Sequence, residues 1–520
     1  MFRHLLPALL SLSVMHAAFA ARVDSEETTA AASRFEAVRA DPGQLYVFMR
    51  NFPKGADLHN HLVGAIYAEH LFEWAERDQL CVDQHSGAIS SSKCVFGFHP
   101  SKGAVPSRQI IDDPKSYENE IDALSMRNFV PTPDDRSGHD HFFATFDRFL
   151  PATFAHDGDM LADVMTQAAR DHLTYLELMI SPQLGEVARL GASTRVTDEK
   201  DISRTAIRLA PHLQHYVKLA RGEADAMESK ARTLMKCGTE QADSGCNVTV
   251  RYLYQTVRTM PPGMVLSQIA FGYALAGADP RFVGVNIVGP EDSPGAMRDY
   301  TLHMQMFHVL SEQWPDVKLS LHAGELSDSL VPPDGLENHI RQAVEIAGAS
   351  RIGHGVDIMR ERDPYGLLEE LAKRNVLVEI NLTSNAQILG VQGKDHPFQT
   401  YRAHGVPVAL STDDEGVSRT TLTQEYIRAA TTYALSYMDM KALSRMGLEH
   451  GFIAGKSLWD STQPFRLKAA CVETDPLTTP ENGDCHDLLA HSEKARLQWK
   501  LEGNFARFEH TLVSGGLSRN

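Results

Sequence analysis

The stretch Val406-Pro407-Val408-Ala409-Leu410-Ser411-Thr412-Asp413-Asp414 joins an apolar, strand-like run to a polar cluster that ends in two aspartates. Three other segments place polar clusters after strand-like runs in the same way: His59-Asn60-His61, His322-Ala323-Gly324-Glu325, and His354 within Arg351-Ile352-Gly353-His354-Gly355. In a (β/α)8 barrel the C-terminal ends of the parallel strands meet at one mouth, where the active site lies. The four clusters therefore predict an active site at the top of such a TIM barrel.

Eight strand-like segments can be found along the chain, which is the number that closes this barrel. They are Ala56–Asn60, Tyr175–Ile180, Val248–Val257, Phe282–Val288, Val317–Leu321, Arg351–Gly353, Val376–Leu382 and Pro407–Leu410. Helical patterns separate the later strands, at Met297–Gln313, Leu336–Ala347 and Leu367–Arg374. Strands that alternate with helices indicate βα units and a parallel sheet, so the predicted class is α/β.

The chain has 520 residues, whereas a plain barrel needs about 250. We therefore predict additions to the barrel. These are a helical N-terminal arm at 21–55, insertions at about 80–135 and 184–245 within a barrel domain at 56–464, and a C-terminal helical tail at 465–520.

The formal net charge is −17 at pH 7, and 43% of the residues are hydrophobic. Nucleic acids and anionic membranes both favour a basic protein surface, so neither is an expected partner. The composition is that of an ordinary globular protein with ample material for a core.

Residues 1–20 have the pattern of a secretory signal peptide. Arg3 and His4 precede a short apolar run from Leu5 to Val14, and Ala18-Phe19-Ala20 offers small residues at a cleavage site. The alternative is an uncleaved membrane anchor, but that needs about 18–20 apolar residues, and this run is shorter. We predict export to the periplasm or the medium, with no membrane contact after cleavage.

The six cysteines fall into three close pairs: Cys81 and Cys94, Cys237 and Cys246, Cys471 and Cys485. Local disulfides in surface loops fit an oxidising compartment, although six cysteines allow 15 pairings and free thiols remain an alternative. No Cys-x-x-Cys spacing supports a zinc site at these residues.

His59 and His61 are two residues apart, so on a strand both imidazoles face the same side. Such a pair alone is more often coincidence than a metal site. Here His322 and Asp413 stand at equivalent strand ends, and three nitrogens with one carboxylate suit Zn²⁺. The fourth strand has no lysine that could be carbamylated to bridge two metals, so we predict one zinc ion per chain.

Three further residues are candidates for catalysis: Glu325, His354 and Asp414. Glu325 lies three residues beyond a predicted ligand and could act as a general acid. Its alternative is a helix N-terminal glutamate that is favoured by the macrodipole. His354, between two glycines, could orient or deprotonate the attacking water. Asp414 could bind substrate or water, or could be an exposed loop residue.

These blocks resemble the adenosine deaminase family of the amidohydrolase superfamily, in the family's own order, from about residue 54 to 430. The matching segments are Lys54–Leu62, His322–Glu325, Arg351–Gly355, Thr383-Ser384-Asn385 and Ser411–Asp414. The export signal and the cysteine-bearing insertions make the chain most similar to the secreted, growth-factor-type branch.

The resemblance implies hydrolytic deamination at C6 of a purine nucleoside, with adenosine or deoxyadenosine giving inosine and ammonia. It assigns His59, His61, His322 and Asp413 to zinc. It also implies that Glu325 protonates N1, that His354 handles the attacking water, and that Asp414 binds N7 and the water. Gly289 matches the glycine whose amide meets N3, and family analogy further suggests a homodimer through the N-terminal arm.

Three positions depart from the family pattern. Val63 stands where an aspartate usually reaches the ribose 5′-hydroxyl, so recognition of the sugar must differ or be absent. Asn286 replaces a commonly acidic residue on the fourth strand. Glu415-Gly416 follows the two aspartates where a proline is usual, and Arg419 beyond them could meet a polar or anionic substrate tail or form a surface salt bridge.

Two alternative functions stay open at this point. The enzyme could act on another aminopurine, such as adenine, a modified adenosine or a nucleotide. It could also be a secreted binding protein with a vestigial pocket, although the complete set of candidate residues argues against decay of the site.

Overall fold

The computed structural model describes residues 26–94 and 103–515. The predicted signal peptide at 1–20 lies outside the described residues. The described strands, in chain order, are β1 (Gly55–His61), β2 (Leu80–Asp83), β3 (Ile89–Lys93), β4 (Ala104–Pro106), β5 (Leu173–Ile180), β6 (Thr249–Val257), β7 (Phe282–Val288), β8 (Lys318–Ala323), β9 (Arg351–His354), β10 (Leu377–Ile380), β11 (Val408–Leu410), β12 (Trp459–Thr462) and β13 (Phe465–Leu467).

The barrel consists of β1 and β5 to β11, hydrogen-bonded in the order β1-β5-β6-β7-β8-β9-β10-β11. All neighbouring pairs are parallel. The first and last strands meet at Asn60 and Asp413, where Asp413 donates its backbone N–H to the carbonyl of His59 at 2.9 Å. All eight predicted strands are therefore confirmed, and so is the (β/α)8 class.

The described α-helices surround this barrel and fill the additions. They are α1 (Glu26–Val38), α2 (Pro42–Asn51), α3 (Ala68–Arg77), α4 (Ser107–Asp112), α5 (Pro114–Ala123), α6 (Gly138–Thr153), α7 (Asp157–Arg170), α8 (Leu184–Gly191), α9 (Glu199–Leu234), α10 (Pro262–Ala278), α11 (Pro294–Gln313), α12 (His339–Glu345), α13 (Pro364–Arg374), α14 (Leu382–Leu389), α15 (Phe398–Ala403), α16 (Glu415–Ser418), α17 (Leu422–Thr432), α18 (Tyr437–His450), α19 (Gly483–His491) and α20 (Glu493–Val513).

The sequence pattern did not reveal α10, for a clear physical reason. Every residue from Val265 to Leu275 is buried, so the helix has no polar face to produce an amphipathic period. The predicted helices after β7, β8 and β9 are confirmed as α11, α12 and α13.

The described parts of the additions to the barrel are structured. Within 80–135, strands β3, β2 and β4 form an antiparallel sheet that the sequence did not predict. The segment 184–245 contains α9, which has 36 residues. In the arm, Thr28 Oγ1 on α1 donates to Glu509 on α20 at 2.8 Å, and the Phe48 and Phe508 rings pack 5.2 Å apart. The arm is thus fixed to the C-terminal tail of the same chain.

The three predicted disulfides are confirmed as Cys81–Cys94, Cys237–Cys246 and Cys471–Cys485. Among the described helices, none combines the length and the apolar character that a bilayer crossing requires.

Candidate metal centre and active site

The four predicted metal ligands converge at the C-terminal mouth of the barrel, from β1, β8 and the residues after β11. Nε2 of His322 lies 3.1 Å from Nε2 of His59 and 3.3 Å from Nε2 of His61. Oδ1 of Asp413 lies 3.3 Å and 3.2 Å from the same two nitrogens. Ligands at the usual zinc distances in a tetrahedron are about 3.3 Å apart, so this set has the size of a zinc site.

The second ring nitrogen of each of these histidines faces a side-chain oxygen. Nδ1 of His59 lies 2.7 Å from Glu379 Oε2, Nδ1 of His61 lies 2.9 Å from Gln255 Oε1, and Nδ1 of His322 lies 2.7 Å from Asn286 Oδ1. Because an oxygen accepts at Nδ1, the hydrogen belongs there and the Nε2 lone pair points to the centre. Such outer partners are typical of metal-binding histidines, and the residues present fit a metal ion.

Buried residues of the barrel hold Glu379 and the predicted ligand Asp413 in place. Arg351, which is fully buried, places its guanidinium 2.7 Å from Glu379 Oε1 and 2.6 Å from Glu177 Oε2. Ser384 donates to Oδ2 of Asp413 at 2.6 Å. Asp413 itself has φ +63°, a left-handed conformation that residues other than glycine or asparagine rarely adopt. Strain of this kind is often found at functional sites.

Glu325 lies in an irregular loop after β8 and is not the start of a helix. The helix N-terminal alternative is therefore wrong. Its carboxyl group is buried, and Oε1 has no hydrogen-bond partner among the described residues. Burial and the charge of nearby Asp413 raise the pKa of Glu325 well above its usual value. A carboxyl group in this state can hold a proton near neutral pH.

Glu291, which the sequence reasoning did not single out, fixes the loop that carries Glu325. Its two carboxylate oxygens accept the backbone N–H of Gly324 at 3.1 Å and of Glu325 at 3.0 Å. His339 Nδ1 lies 2.6 Å from Glu291, and Arg258 lies 3.6 Å away. Although burial opposes ionisation, these contacts lower the pKa of Glu291 to about 2. Its position in Gly289-Pro290-Glu291, just after a barrel strand, was the signal that could have identified it.

His354 ends β9 with φ +69° and is completely buried. Its Nδ1 lies 3.0 Å from Nδ2 of Asn385 and 3.3 Å from Nδ2 of Asn381. Its Nε2 has no partner among the described residues. Burial lowers the pKa of His354 to about 3, so the ring is neutral at physiological pH. His354 also lies beside the ligand cluster, since one of its ring nitrogens is within 4.8 Å of ligand atoms of His59, His322 and Asp413.

Asp414 is buried, so the exposed-loop alternative is wrong. Its Oδ1 has no hydrogen-bond partner within the described part of the chain. Burial is the main cause that raises the pKa of Asp414 to about 7. A Cβ on Gly64 would lie 1.6 Å from Oδ1, so only glycine leaves room for this carboxyl group.

The structure also shows where the remaining predicted residues lie. Gly289 follows β7 with φ +95°, which L side chains rarely adopt. Val63 is partly buried and packs against the main core. Arg419 binds both carboxylate oxygens of Glu69, at 2.9 and 2.7 Å, so the salt-bridge alternative describes it. Asn286 supplies a neutral oxygen to His322, where the family commonly has an acid.

Comparison with known proteins gives a consistent result. Residues 122–458 match the family model described as Adenosine deaminase. The adenosine deaminase of Enterococcus faecalis is 28% identical over 407 residues, which cover 78% of this chain and 94% of that protein. The adenosine deaminase of Vibrio atlanticus is 24% identical, with 67% and 90% covered. A zinc-bound amidohydrolase from Burkholderia ambifaria superposes with a TM-score of 0.54 at 16% identity, over 90% of this chain and 94% of that one.

The barrel and the cluster of histidines and aspartate at its mouth are those of an amidohydrolase, a class of enzymes that commonly use a metal ion. Within that class, the match over residues 122–458 is specific. The chain belongs to the adenosine deaminase family, and it is a hydrolytic deaminase. The finer assignment to the growth-factor-type branch stays a prediction.

Proposed function

We propose that the protein is an exported, zinc-dependent aminohydrolase that converts adenosine, deoxyadenosine or both to inosine-type products and ammonia. The observation that carries this proposal is a group of three buried polar atoms without partners among the described residues, beside the ligand set: Glu325 Oε1, His354 Nε2 and Asp414 Oδ1. Buried polar groups are rarely left unpaired unless they meet a ligand or water.

Zinc held by His59, His61, His322 and Asp413 would supply Lewis acidity, which makes water nucleophilic near neutral pH. The residues of the chain account for the other requirements. Glu325, in its protonated form, gives its hydrogen to N1 while a water oxygen adds to C6. One hydrogen of that water passes to the amino nitrogen, the C6–N bond breaks, and ammonia leaves. The remaining hydroxyl hydrogen returns to the Glu325 carboxylate as the C6 carbonyl forms. Asp414 in its protonated form donates to N7, and the backbone amide of Gly289 meets N3.

In this proposal His354 lies beside C6 of the purine and contacts the oxygen that adds to it. The buried side chains of Glu325, His354 and Asp414 exclude water from the reacting atoms, which strengthens their electrostatic interactions with the substrate. The complete set of seven residues argues against a secreted binding protein with a vestigial site.

A second substrate class is favoured by one observation. Val63 cannot donate or accept a hydrogen bond, yet it stands where the family resemblance places a ribose contact. An amidohydrolase acting on adenine, a modified adenosine or a nucleotide is therefore the alternative within the same chemistry.

A substrate panel tests the proposal. Adenosine, deoxyadenosine, adenine, N6-methyladenosine and AMP would be compared by the change in purine absorbance and by release of ammonia, or of methylamine in the case of N6-methyladenosine. The highest kcat/KM on adenosine or deoxyadenosine supports the proposal. A preference for adenine, N6-methyladenosine or AMP supports the alternative, and a zinc-loaded protein inert on every purine contradicts both.

Export and assembly complete the proposal. Three disulfides support an oxidising compartment, because such bonds persist outside the cytosol. Residues 1–20 would be removed on export, which N-terminal sequencing of the mature protein would test. We further propose a homodimer, which light scattering of the purified protein would test.

A further inference from the structure

Four histidines surround the candidate metal centre, and their hydrogen positions are not alike. In His59, His61 and His322, Nδ1 faces a side-chain oxygen, so the hydrogen is on Nδ1 and the lone pair of Nε2 points inward. In His354, Nδ1 faces the amide nitrogens of Asn385 and Asn381 instead. The orientation of the Asn385 amide therefore decides whether the His354 ring presents a lone pair or an N–H to the site.

The orientation of Asn385 can be traced to a backbone group. The backbone N–H of Phe398 donates to Nδ1 of His396 at 3.2 Å. A backbone nitrogen can only donate, so Nδ1 of His396 must be an acceptor without hydrogen. His396 is buried, and burial lowers the pKa of its ring to about 4, which keeps the ring neutral. Its single hydrogen is then on Nε2.

The hydrogen-bond chain continues from His396 through Asn385 to His354. Nε2 of His396 lies 3.1 Å from Oδ1 of Asn385, so this N–H donates to the amide oxygen. The amide nitrogen of Asn385 must then face His354, where it donates to Nδ1 at 3.0 Å. Asn381 directs a second amide nitrogen to the same atom at 3.3 Å. The neutral ring of His354 therefore holds its hydrogen on Nε2.

Glu325 Oε1 lies 3.5 Å from Nδ1 of His354, close enough for an ion pair if the ring were charged. Because Nδ1 accepts hydrogen bonds from two amides, this contact is not an ion pair. Nε2 stands at the other nitrogen position of the ring and has no partner among the described residues, and the His354 ring centroid lies 4.9 Å from that of His59 and 5.0 Å from that of His322.

We propose that His396 and Asn385 are positioning residues that hold His354 as a hydrogen-bond donor to the reacting oxygen. This inference rests on the proposed function. It chooses between the two roles that the sequence left open for His354, because a ring with its hydrogen on Nε2 can orient the attacking water but cannot take a proton at that atom. As the attacking water gives up its hydrogen, negative charge develops on its oxygen, and the fixed N–H stabilises that charge.

Substitution Asn385→Asp tests the proposal with little change of shape. A carboxylate accepts at both oxygens, so it would draw the hydrogen of His354 to Nδ1 and leave a lone pair on Nε2. We expect kcat to fall by up to roughly 10⁴-fold, the loss found when a catalytic histidine is forced into the wrong tautomer. KM and the zinc content, measured by elemental analysis, should change little. Asn375→Asp, at an exposed helix end, is the matched control and should keep the wild-type rate.

A second pair of variants covers the case in which Asn385→Asp does not fold. His396→Gln keeps an N–H that can donate to Asn385, whereas His396→Leu removes it. Recovery of most of the rate in the Gln variant and at least a tenfold loss in the Leu variant would support the relay. Equal rates in the two variants would contradict it.

Nitrogen-15 spectra of the histidine rings give a readout independent of turnover. In the wild-type protein, Nδ1 of His396 and Nδ1 of His354 should carry no hydrogen, and Asn385→Asp should move the hydrogen of His354 to Nδ1. A hydrogen on Nδ1 of His354 in the wild type would overturn the inference. That result would leave the proposed deaminase function intact, since the substrate panel tests it separately.

Discussion

The carboxylate of Glu291 accepts the backbone N–H of Glu325 at 3.0 Å, and its other oxygen accepts the N–H of Gly324 at 3.1 Å. In Glu291→Gln one acceptor becomes an NH₂ group, which would face a backbone N–H that also donates. We expect the loop to shift and kcat to fall roughly 10- to 100-fold, since small misplacements of catalytic groups are costly. Steady-state kinetics check this.

The control for Glu291 is Glu361→Gln. Glu361 is also buried, but it accepts the backbone N–H of Arg341 and not the N–H of Gly324 or Glu325. A Glu361 variant that loses as much activity as the Glu291 variant would show that any buried carboxylate in this region matters equally.

Glu325→Gln should retain its zinc and lose most of its turnover. The amide has nearly the same shape as the carboxyl group, but it cannot deliver a proton to the substrate, and general acid catalysis typically contributes about 10²- to 10⁴-fold. Elemental analysis and kcat are the measurements. A nearly wild-type rate would refute the role of Glu325.

Removal of the metal should abolish activity, and added Zn²⁺ should restore it. The four ligand atoms are close enough to each other for one ion, so we expect one zinc equivalent per chain by elemental analysis. Two equivalents in the active protein would contradict a mononuclear site, and full activity after exhaustive chelation would contradict metal dependence.

Gly64→Ala should impair activity without unfolding the protein. The added Cβ would lie 1.6 Å from Asp414 Oδ1, so the carboxyl group must move away from the substrate position. We expect kcat/KM to fall by about tenfold or more, the range for a displaced catalytic group. Gly222→Ala, in α9 with no neighbour within 4 Å, is the control. It should leave the rate unchanged and stabilise the helix by about 0.5–1 kcal/mol.

Glu120 should make stability depend on pH. Burial raises its pKa from 4.5 to about 7, so between these values the unfolded chain has lost a proton that the folded chain keeps. Folding stability contributed by this group therefore falls as pH rises from 4.5 to 7. Glu120→Gln should melt at a higher temperature relative to the wild type at pH 7 than at pH 4.5. A pH-independent difference in Tm would contradict this.

Much of the site could be predicted because each piece is local in sequence. The strand-like runs with a polar cluster at the end gave β1, β8, β9 and β11, and the geometry of parallel strands implied that the clusters meet. The His59 and His61 pair needed only the two-residue period of a strand. The cysteine pairs were predicted from close spacing, and the structure bears them out.

Other features required coordinates because they depend on residues far apart in the chain. Glu291, Arg258 and His339 meet around the Glu325 loop although up to 81 positions separate Arg258 from His339 in the sequence. His396 reaches His354 only through Asn385. The apolar helix α10 lacks a periodic signal, and the antiparallel sheet of β2, β3 and β4 consists of strands of at most five residues.

The sequence by itself determined which side chains stand at the strand ends, because the alternation of apolar runs and polar clusters is written along the chain. Only the tertiary structure decided the environment of each one, since burial and hydrogen-bond partners come from distant segments. Those partners fix three imidazoles as acceptors toward the centre and one as a donor. This difference cannot be read from the four histidines in the sequence alone.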